Sequence, residues 1–125
     1  MNKDDFKDLE KDVTGLKTYE FLINNLFSLS DDNIISIIDK MSDIDNTGQY
    51  IASSARYLNA VDSNHFRDIV KKLVSIIIDK DREHRYIKDV MTAIYGEDYL
   101  EKSASYSDDN NFRRLFKRIH PTGAF

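Results

Sequence analysis

The sequence predicts an all-α protein built from short amphipathic helices. Along most of its 125 residues, apolar residues recur three and four positions apart, which is the spacing of one buried helix face. Four glycines and one proline are too few for the turns of an all-β chain. The sequence has no cysteine, so disulfides, thiolate metal sites and cysteine nucleophiles are excluded. We expect helix–loop–helix pairs, in two small lobes; a compact helical bundle is the alternative.

Seven helices are predicted, and each has a face of apolar residues at helical spacing. In chain order these faces comprise Phe6, Leu9 and Val13; Leu22, Ile23, Leu26 and Phe27; Ile34, Ile35, Ile38 and Met41; Ile51, Ala55, Leu58 and Val61; Phe66, Ile69, Val70, Leu73, Val74 and Ile77; Ile87, Val90, Met91 and Ile94; and Phe112, Leu115, Phe116 and Ile119. A short strand at 76–78 is an alternative there, because three β-branched residues follow one another. The segment 99–107 fits neither pattern.

Several residues are suited to begin or end these helices. Ser30 is predicted to cap the third helix, and Asp31 and Asp32 after it suit the positive end of the helix dipole. The other predicted caps and stops are Gly15 at the end of the first helix, Thr18 before the second, Asp62 or Ser63 before the fifth, Gly96 after the sixth and His120-Pro121 after the last.

The charge is unevenly distributed and suggests a division of the chain. Residues 1–62 carry 6 basic and 12 acidic residues, a net charge of −6, whereas residues 63–125 carry 12 and 10, a net charge of +2. We therefore predict an acidic lobe over 1–62 and a second lobe over 63–125. Because acidic residues repel phosphate, binding to nucleic acid is disfavoured. No apolar run is long enough for a membrane span, and the charged N-terminus does not resemble a signal peptide, so we expect a cytoplasmic protein.

Two segments repeat the pattern D-x-D-x-x-x-x-Y-I at an offset of 36 residues. They are 43–51 and 79–87, and each lies between two predicted helices. The first segment has Asp43, Asp45 and Thr47 at alternate positions and then Gly48, which is the arrangement that wraps carboxylate and hydroxyl oxygens around a hard cation.

These loops resemble those of the EF-hand family, in particular the calmodulin and myosin-light-chain branch. A shortened third loop is similar, with Glu10, Asp12 and Thr14 as ligands and Glu20 in the place of the bidentate glutamate. The segment 107–116 resembles the end of a fourth. Neither central loop has an acid at its twelfth position, which is Ser54 in one and Val90 in the other. The resemblance therefore implies weak or vestigial calcium binding at Glu10, Asp12, Thr14, Glu20, Asp43, Asp45 and Thr47.

The function implied by the resemblance is that of a calmodulin-like or light-chain-like adaptor. Such a protein grips an amphipathic or basic helix of a larger protein, here largely without calcium, through apolar residues between its helices. The candidates are Phe27, Met41, Met91 and Phe116. The last helix adds a basic face that could bind a partner: Arg113, Arg114, Lys117 and Arg118. Packing in the core is the alternative for each apolar candidate, and a solvated face is the alternative for the basic residues.

Two other function classes remain open. One is a small helical regulatory or inhibitory protein, of viral or bacterial mobile-element type, that blocks a protein partner. The weaker one is a helix-turn-helix DNA-binding protein that would read DNA with Asn64, His65, Arg67, Lys71 and Lys72. No enzyme is predicted, because the three histidines are isolated and no glycine-rich phosphate loop is present.

Overall fold

Seven α-helices make up most of the computed structural model, which describes residues 3–122, with side chains from Lys7 onward. They are α1 (Lys3–Glu10), α2 (Leu16–Asn25), α3 (Asp31–Ile44), α4 (Gln49–Asp62), α5 (Arg67–Lys80), α6 (Ile87–Tyr95) and α7 (Asn110–Ile119), with 3₁₀ segments at Leu26–Ser28 and Ser103–Tyr106. Residues 3–122 contain no strand, so the all-α class is confirmed. The alternative of a strand at 76–78 is wrong, because these residues lie within α5. No helix of the described chain is long and apolar enough to cross a membrane.

The helices are stacked in two layers. Helices α2, α4 and α6 contact one another in that order and form one layer, and α3, α5 and α7 do the same in the other. Consecutive helices therefore alternate between the layers, as they do in proteins built by stacking helical hairpins. Within such a stack, each hairpin buries its apolar faces against the hairpins before and after it.

One continuous apolar core lies between the layers and takes residues from both halves of the chain. Its largest fully buried side chains are Phe112, Leu22, Ile34, Ile37, Ile38, Met41, Ile51, Leu58, Leu73, Ile77, Ile78 and Ile87. Helix α4 packs on α5 and α6 across the predicted boundary at residues 62 and 63. The division into two lobes stays a prediction.

Three buried aspartates define the turns between paired helices: Asp12, Asp45 and Asp81. The carboxylate of Asp45 accepts the backbone N–H groups of Gly48, Tyr50 and Ile51 at 3.0, 2.8 and 3.0 Å. That of Asp81 accepts three N–H groups from residues 85–87 at 2.7–3.0 Å. Since the first N–H groups of a helix have no partner within it, each aspartate supplies the acceptors that allow the next helix to begin.

In the first turn a buried aspartate caps the next helix in the same way, with a small variation. One oxygen of Asp12 accepts both the backbone N–H and the hydroxyl of Thr18, each at 2.8 Å. Its other oxygen accepts the N–H groups of Thr14 and Gly15. The three aspartates are therefore equivalent residues of a structural repeat, spaced 33 and 36 residues apart.

Each turn passes through one residue in the left-handed conformation, three positions after the aspartate. Gly15 and Gly48 occupy this position with φ of 106° and 85°, and His84 occupies it in the third turn with φ of 57°. Among the described residues, His84 is the only non-glycine residue with positive φ. A side chain in this region is strained, so His84 is an unfavourable residue at this place.

Replacement of His84 by glycine is expected to raise the free energy of unfolding by about 0.5 kcal/mol. Relief of left-handed strain outweighs the greater freedom that glycine gives the unfolded chain. Urea unfolding followed by circular dichroism measures the change. Arg82→Gly is the control: Arg82 has no positive φ, so this variant should be less stable than the parent. Equal destabilisation by both substitutions would show that His84 is not strained.

Basic side chains connect successive hairpins at the ends of their helices. Lys80, at the end of α5, donates to the carbonyl oxygens of Ser42 and Asp45, the second at 2.9 Å. Arg118, at the end of α7, donates to the carbonyl oxygen of Ile78. Ser42 and Ile78 each lie three residues before the buried aspartate of their turn, so the two contacts are equivalent. They provide donors for the free carbonyl groups at the ends of α3 and α5.

An aromatic cluster closes the C-terminal end of the stack. Phe112 is fully buried, with its ring 5.0 Å from that of Tyr95 and 4.9 Å from that of Tyr106. The ring of Tyr99 lies 6.4 Å from both Phe112 and Phe116. The segment 96–109, which includes the stretch left unassigned from the sequence, thus covers the apolar side of α7.

The predicted helix ends are correct where the capping or terminating residue is adjacent to the helix. Ser30 accepts the N–H of Asn33 at 3.1 Å and is the N-cap of α3, as predicted. Gly96 follows α6, and α7 ends before His120-Pro121, also as predicted.

Other predicted helix ends are wrong: α2 is capped by a more distant residue, whereas α5 has no side-chain cap. Thr18 lies inside α2, which begins after Gly15 and is capped by Asp12. Helix α5 begins after Phe66 instead of Asp62 or Ser63. Val13, predicted on the first helix, lies after it and is 81% exposed. The side chain of Phe6 lies outside the described side chains.

Candidate partner-binding surface

Helices α2 and α4 lie side by side and bring apolar side chains together at the surface. The rings of Tyr19 and Tyr50 are 6.1 Å apart at their centres, near the start of both helices. Further along, the hydroxyl of Tyr57 donates to the carbonyl oxygen of Ile23 at 3.5 Å. All four side chains are half-buried, and the three tyrosines rest on the core. They form a line that follows the junction between the two helices.

Phe27 follows Ile23 by four residues in the sequence and is 89% exposed, the highest exposure of any large apolar residue described. It lies in the 3₁₀ segment after α2, where Leu26 turns into the core and Phe27 turns to solvent. An exposed phenylalanine beside partly exposed tyrosines is a marker of a binding surface. We call Tyr19, Ile23, Phe27, Tyr50 and Tyr57 the aromatic row.

The surroundings of the aromatic row are acidic. Between residues 16 and 62, the chain carries three basic and seven acidic residues, a net charge of −4. Exposed Glu20 is adjacent to Tyr19 in the sequence, and exposed Asp32 lies five residues after Phe27. Since opposite charge speeds encounter and fixes orientation, the row suits a partner with both apolar and basic residues.

Of the four apolar residues predicted to bind a partner, only Phe27 is at the surface. Met41 and Met91 are fully buried, and Phe116 is 6% exposed in the aromatic cluster. In this conformation these three side chains pack in the core, which is the alternative that the sequence left open. Their exposure by opening between the helices stays a prediction.

The basic residues of α7 divide into two pairs. Arg114 binds Asp79 at 2.8 Å and Arg118 donates to the carbonyl oxygen of Ile78, so both hold α7 on α5. Arg113 and Lys117 are exposed on the outer side of α7. Of these four basic residues, only Arg113 and Lys117 are exposed and available to a partner.

Two residues of the candidate DNA-reading set are paired with acids. His65 lies 3.0 Å from Asp31, and Lys72 lies 2.8 Å from Asp39. The hydrogen bond and charge of Asp31 raise the pKa of His65. These contacts join α3 to the turn before α5 and to the middle of α5. Lys72 neutralises Asp39, and Asp31 favours the protonated form of His65.

Of the candidate calcium ligands, Asp12, Thr14, Asp45 and Thr47 lie in the turns, whereas Glu10, Glu20 and Asp43 lie in α1, α2 and α3. Asp12 and Asp45 accept backbone N–H groups, as described above, and α3 is separated from α4 by only the four residues 45–48. Glu10, Thr14, Glu20, Asp43 and Thr47 are exposed. In residues 3–122, no three Asp, Glu or His side chains form a group that could hold a metal ion. Calcium binding stays a prediction.

The environment of Asp12 favours its charged form. Burial raises the pKa of this carboxyl, but the hydrogen bonds from Thr18, Gly15 and Thr14 together lower it further, so that the pKa lies below the ordinary value. A carboxyl with a lowered pKa stabilises the fold above the pKa of the unfolded state. This contribution is lost as the pH falls through the lower pKa of the folded state.

Sequence reasoning missed the tyrosines of the aromatic row. Tyr50 lies in the repeated segment 43–51, and Tyr19 precedes the candidate ligand Glu20, but neither position predicts a binding surface. The signal present in the sequence is that Tyr19, Ile23 and Phe27 are spaced four residues apart. Their pairing with Tyr50 and Tyr57 depends on contact between helices that are not consecutive.

Comparisons with known proteins add no family to this description. No protein-family model matches the chain, and no curated protein or solved structure is significantly similar to it. The resemblance to EF-hands therefore stays a prediction from the loop residues.

Proposed function

We propose that the chain is a non-enzymatic adaptor that binds a basic amphipathic helix of a larger protein along the aromatic row. The observation that carries the proposal is the exposure of Phe27, at 89%, together with four partly exposed apolar side chains. Aromatic side chains contribute most of the energy at protein interfaces because they bury a large area at a small cost in entropy.

The shape of the row supports a helical ligand. Tyr19 and Ile23 of α2 lie against Tyr50 and Tyr57 of α4, and an amphipathic helix can place apolar residues spaced three and four apart along such a junction. From Tyr19 to Phe27 the row spans eight residues, or about 12 Å at the helical rise, which accommodates two turns of a bound helix.

The charge of the surface supports a basic partner. The exposed carboxylates of Glu20 and Asp32, which form no ion pair with a described residue, would attract lysine and arginine on the polar side of the ligand. No step of this binding requires calcium, because the buried aspartates are already bound to backbone N–H groups.

The proposal is tested with a synthetic amphipathic helix of leucine and lysine residues, titrated into the protein and followed by calorimetry. We expect binding in the micromolar range that persists in the presence of a calcium chelator. A matched helix of leucine and glutamate should not bind. Replacement of Phe27 by serine should weaken the affinity by about tenfold, which corresponds to 1.4 kcal/mol.

Leu100→Ser provides the matched control for this variant. Leu100 is 50% exposed and lies in the segment 96–109 at the C-terminal end of the stack, away from the aromatic row. Neither substitution should change the melting temperature, because neither side chain is packed in the core. Equal affinities of the two variants, or equal binding of the lysine and glutamate helices, would overturn the proposal.

A further inference from the structure

A cleft of about 340 Å³ opens on the opposite side of α4 from the aromatic row. It lies where the ends of α4 and α6 meet the beginnings of α5 and α7. The apolar wall of the cleft comprises Val70, Val74, Ile94 and Tyr95. Its two cations are Arg67 and Lys71, and its other polar residues are Asn59, Ser63, Asn64, Asp109 and Asn111. The volume is within the range of sites for small molecules.

The two cations of the cleft have no acidic partner within the described chain. Arg67 and Lys71 are four residues apart on α5, so their side chains share one face of the helix. Both are exposed, and neither forms an ion pair with a described residue. By contrast, the adjacent Lys72 is bound to Asp39 at 2.8 Å. The cleft therefore presents positive charge that no acidic residue of the described chain neutralises.

The polar walls of the cleft are held in place by hydrogen bonds between helices. The side-chain amide of Asn59 donates to the carbonyl oxygen of Ala93 at 3.2 Å, which joins α4 to α6. The amide of Asn111 donates to the carbonyl oxygen of Lys71 at 3.0 Å, which joins α7 to α5. A ligand would enter a site that is already formed and would pay little to order it.

The carboxylate in the lining, that of Asp109, is engaged within the protein. One oxygen accepts the N–H of Phe112 at 3.0 Å and the other accepts the hydroxyl of Tyr95 at 2.9 Å. Burial, together with the charge of Asp109, raises the pKa of Tyr95, so its hydroxyl remains a donor. These bonds satisfy the acceptor oxygens of Asp109, and the exposed Arg67 and Lys71 are the groups that can receive an anion.

We propose that this cleft binds a small organic anion, in which a carboxylate or phosphate group is attached to a flat apolar body. The anionic group is received by Arg67 and Lys71, and the apolar body lies on Ile94 and Tyr95, the partly exposed apolar residues of the lining. This site is separate from the aromatic row and goes beyond the proposed adaptor function. Because α5 and α7 both contribute to it, an occupied cleft would strengthen the C-terminal end of the stack.

The proposal is tested by methyl NMR with phenyl phosphate and benzoate as probes. Either probe should shift the methyl signals of Val70, Val74 and Ile94 in a saturable manner, and the tighter of the two identifies the anionic group that the cleft prefers. Inorganic phosphate, which lacks the apolar body, and benzyl alcohol, which lacks the charge, should bind at least tenfold more weakly.

Variants assign the binding to the two cations. Arg67→Gln combined with Lys71→Gln should weaken the binding of the better probe by at least tenfold, without lowering the melting temperature. Lys72→Gln removes an adjacent charge outside the cleft and should leave the affinity unchanged. The proposal is overturned if neither probe shifts these methyl signals at millimolar concentration, if inorganic phosphate binds equally well, or if both variants bind alike.

Discussion

Replacement of Asp45 by alanine is expected to lower the free energy of unfolding by about 3 kcal/mol. The carboxylate is 1% exposed and accepts three backbone N–H groups at the start of α4, which would lose their acceptor together. Each buried donor left without a partner costs about 1–3 kcal/mol, and the water that enters the vacated space recovers part of this. Urea unfolding of the two proteins measures the difference.

Asp43→Ala is the matched control for this prediction. Asp43 lies two residues earlier, in the last turn of α3, and is exposed, so its removal should change stability by no more than about 0.5 kcal/mol. If the two substitutions destabilise the protein equally, the carboxylate of Asp45 does not cap α4. A stability that rises with added calcium in the parent but not in Asp45→Ala would indicate a metal site in the turn.

Replacement of Phe112 by alanine is expected to cost about 4 kcal/mol. Phe112 is fully buried, and its ring lies about 5 Å from those of Tyr95 and Tyr106, so alanine would leave a cavity in the middle of the aromatic cluster. Loss of these contacts should also release the segment 96–109 from α7. Thermal unfolding gives the size of the effect, and hydrogen exchange of residues 96–109 gives its location.

Arg113→Ala, at the neighbouring exposed position, is the control and should leave both measurements nearly unchanged. A small loss of stability in Phe112→Ala, with unchanged exchange in 96–109, would mean that this segment does not depend on α7. The cluster would then not be the element that closes the stack.

The fold class and several helix ends could be predicted because they depend on neighbours in the sequence. Apolar spacing is a local signal, and the Ser30 cap involves Asn33, only three residues away. The start of α2 was misplaced because its cap, Asp12, lies before the left-handed residue Gly15 and binds across six positions. A cap at this distance has no simple signature in the sequence.

The repeat was visible in the sequence, but its physical meaning was not. Asp43 and Asp45 have the same chemistry and differ in burial: Asp43 is exposed in α3, whereas Asp45 is buried in the turn. A carboxylate that accepts backbone N–H groups and a carboxylate that binds a cation produce the same pattern of residues in the sequence. Only the packing of the turn against the next hairpin, where Lys80 donates to the backbone carbonyl oxygen of Asp45, distinguishes them.

The candidate site was predicted only at Phe27. Sequence spacing could not separate Met41 and Met91, which are buried, from Phe27, which is exposed, because core and binding groove both require apolar residues on one helix face. The contact of Tyr19 with Tyr50 joins residues 31 positions apart. It arises from the stacking of α2 on α4, which no local pattern shows.

The proposed binding surface is tested most directly by NMR mapping of the leucine–lysine helix on the labelled protein. The proposal predicts that the largest chemical-shift changes occur at Tyr19, Ile23, Phe27, Tyr50 and Tyr57, on α2 and α4. Residues of α7 should change little. Changes confined to the basic face of α7, or spread evenly over the acidic surface without involving Phe27, would contradict the proposal that the aromatic row is the partner-binding surface.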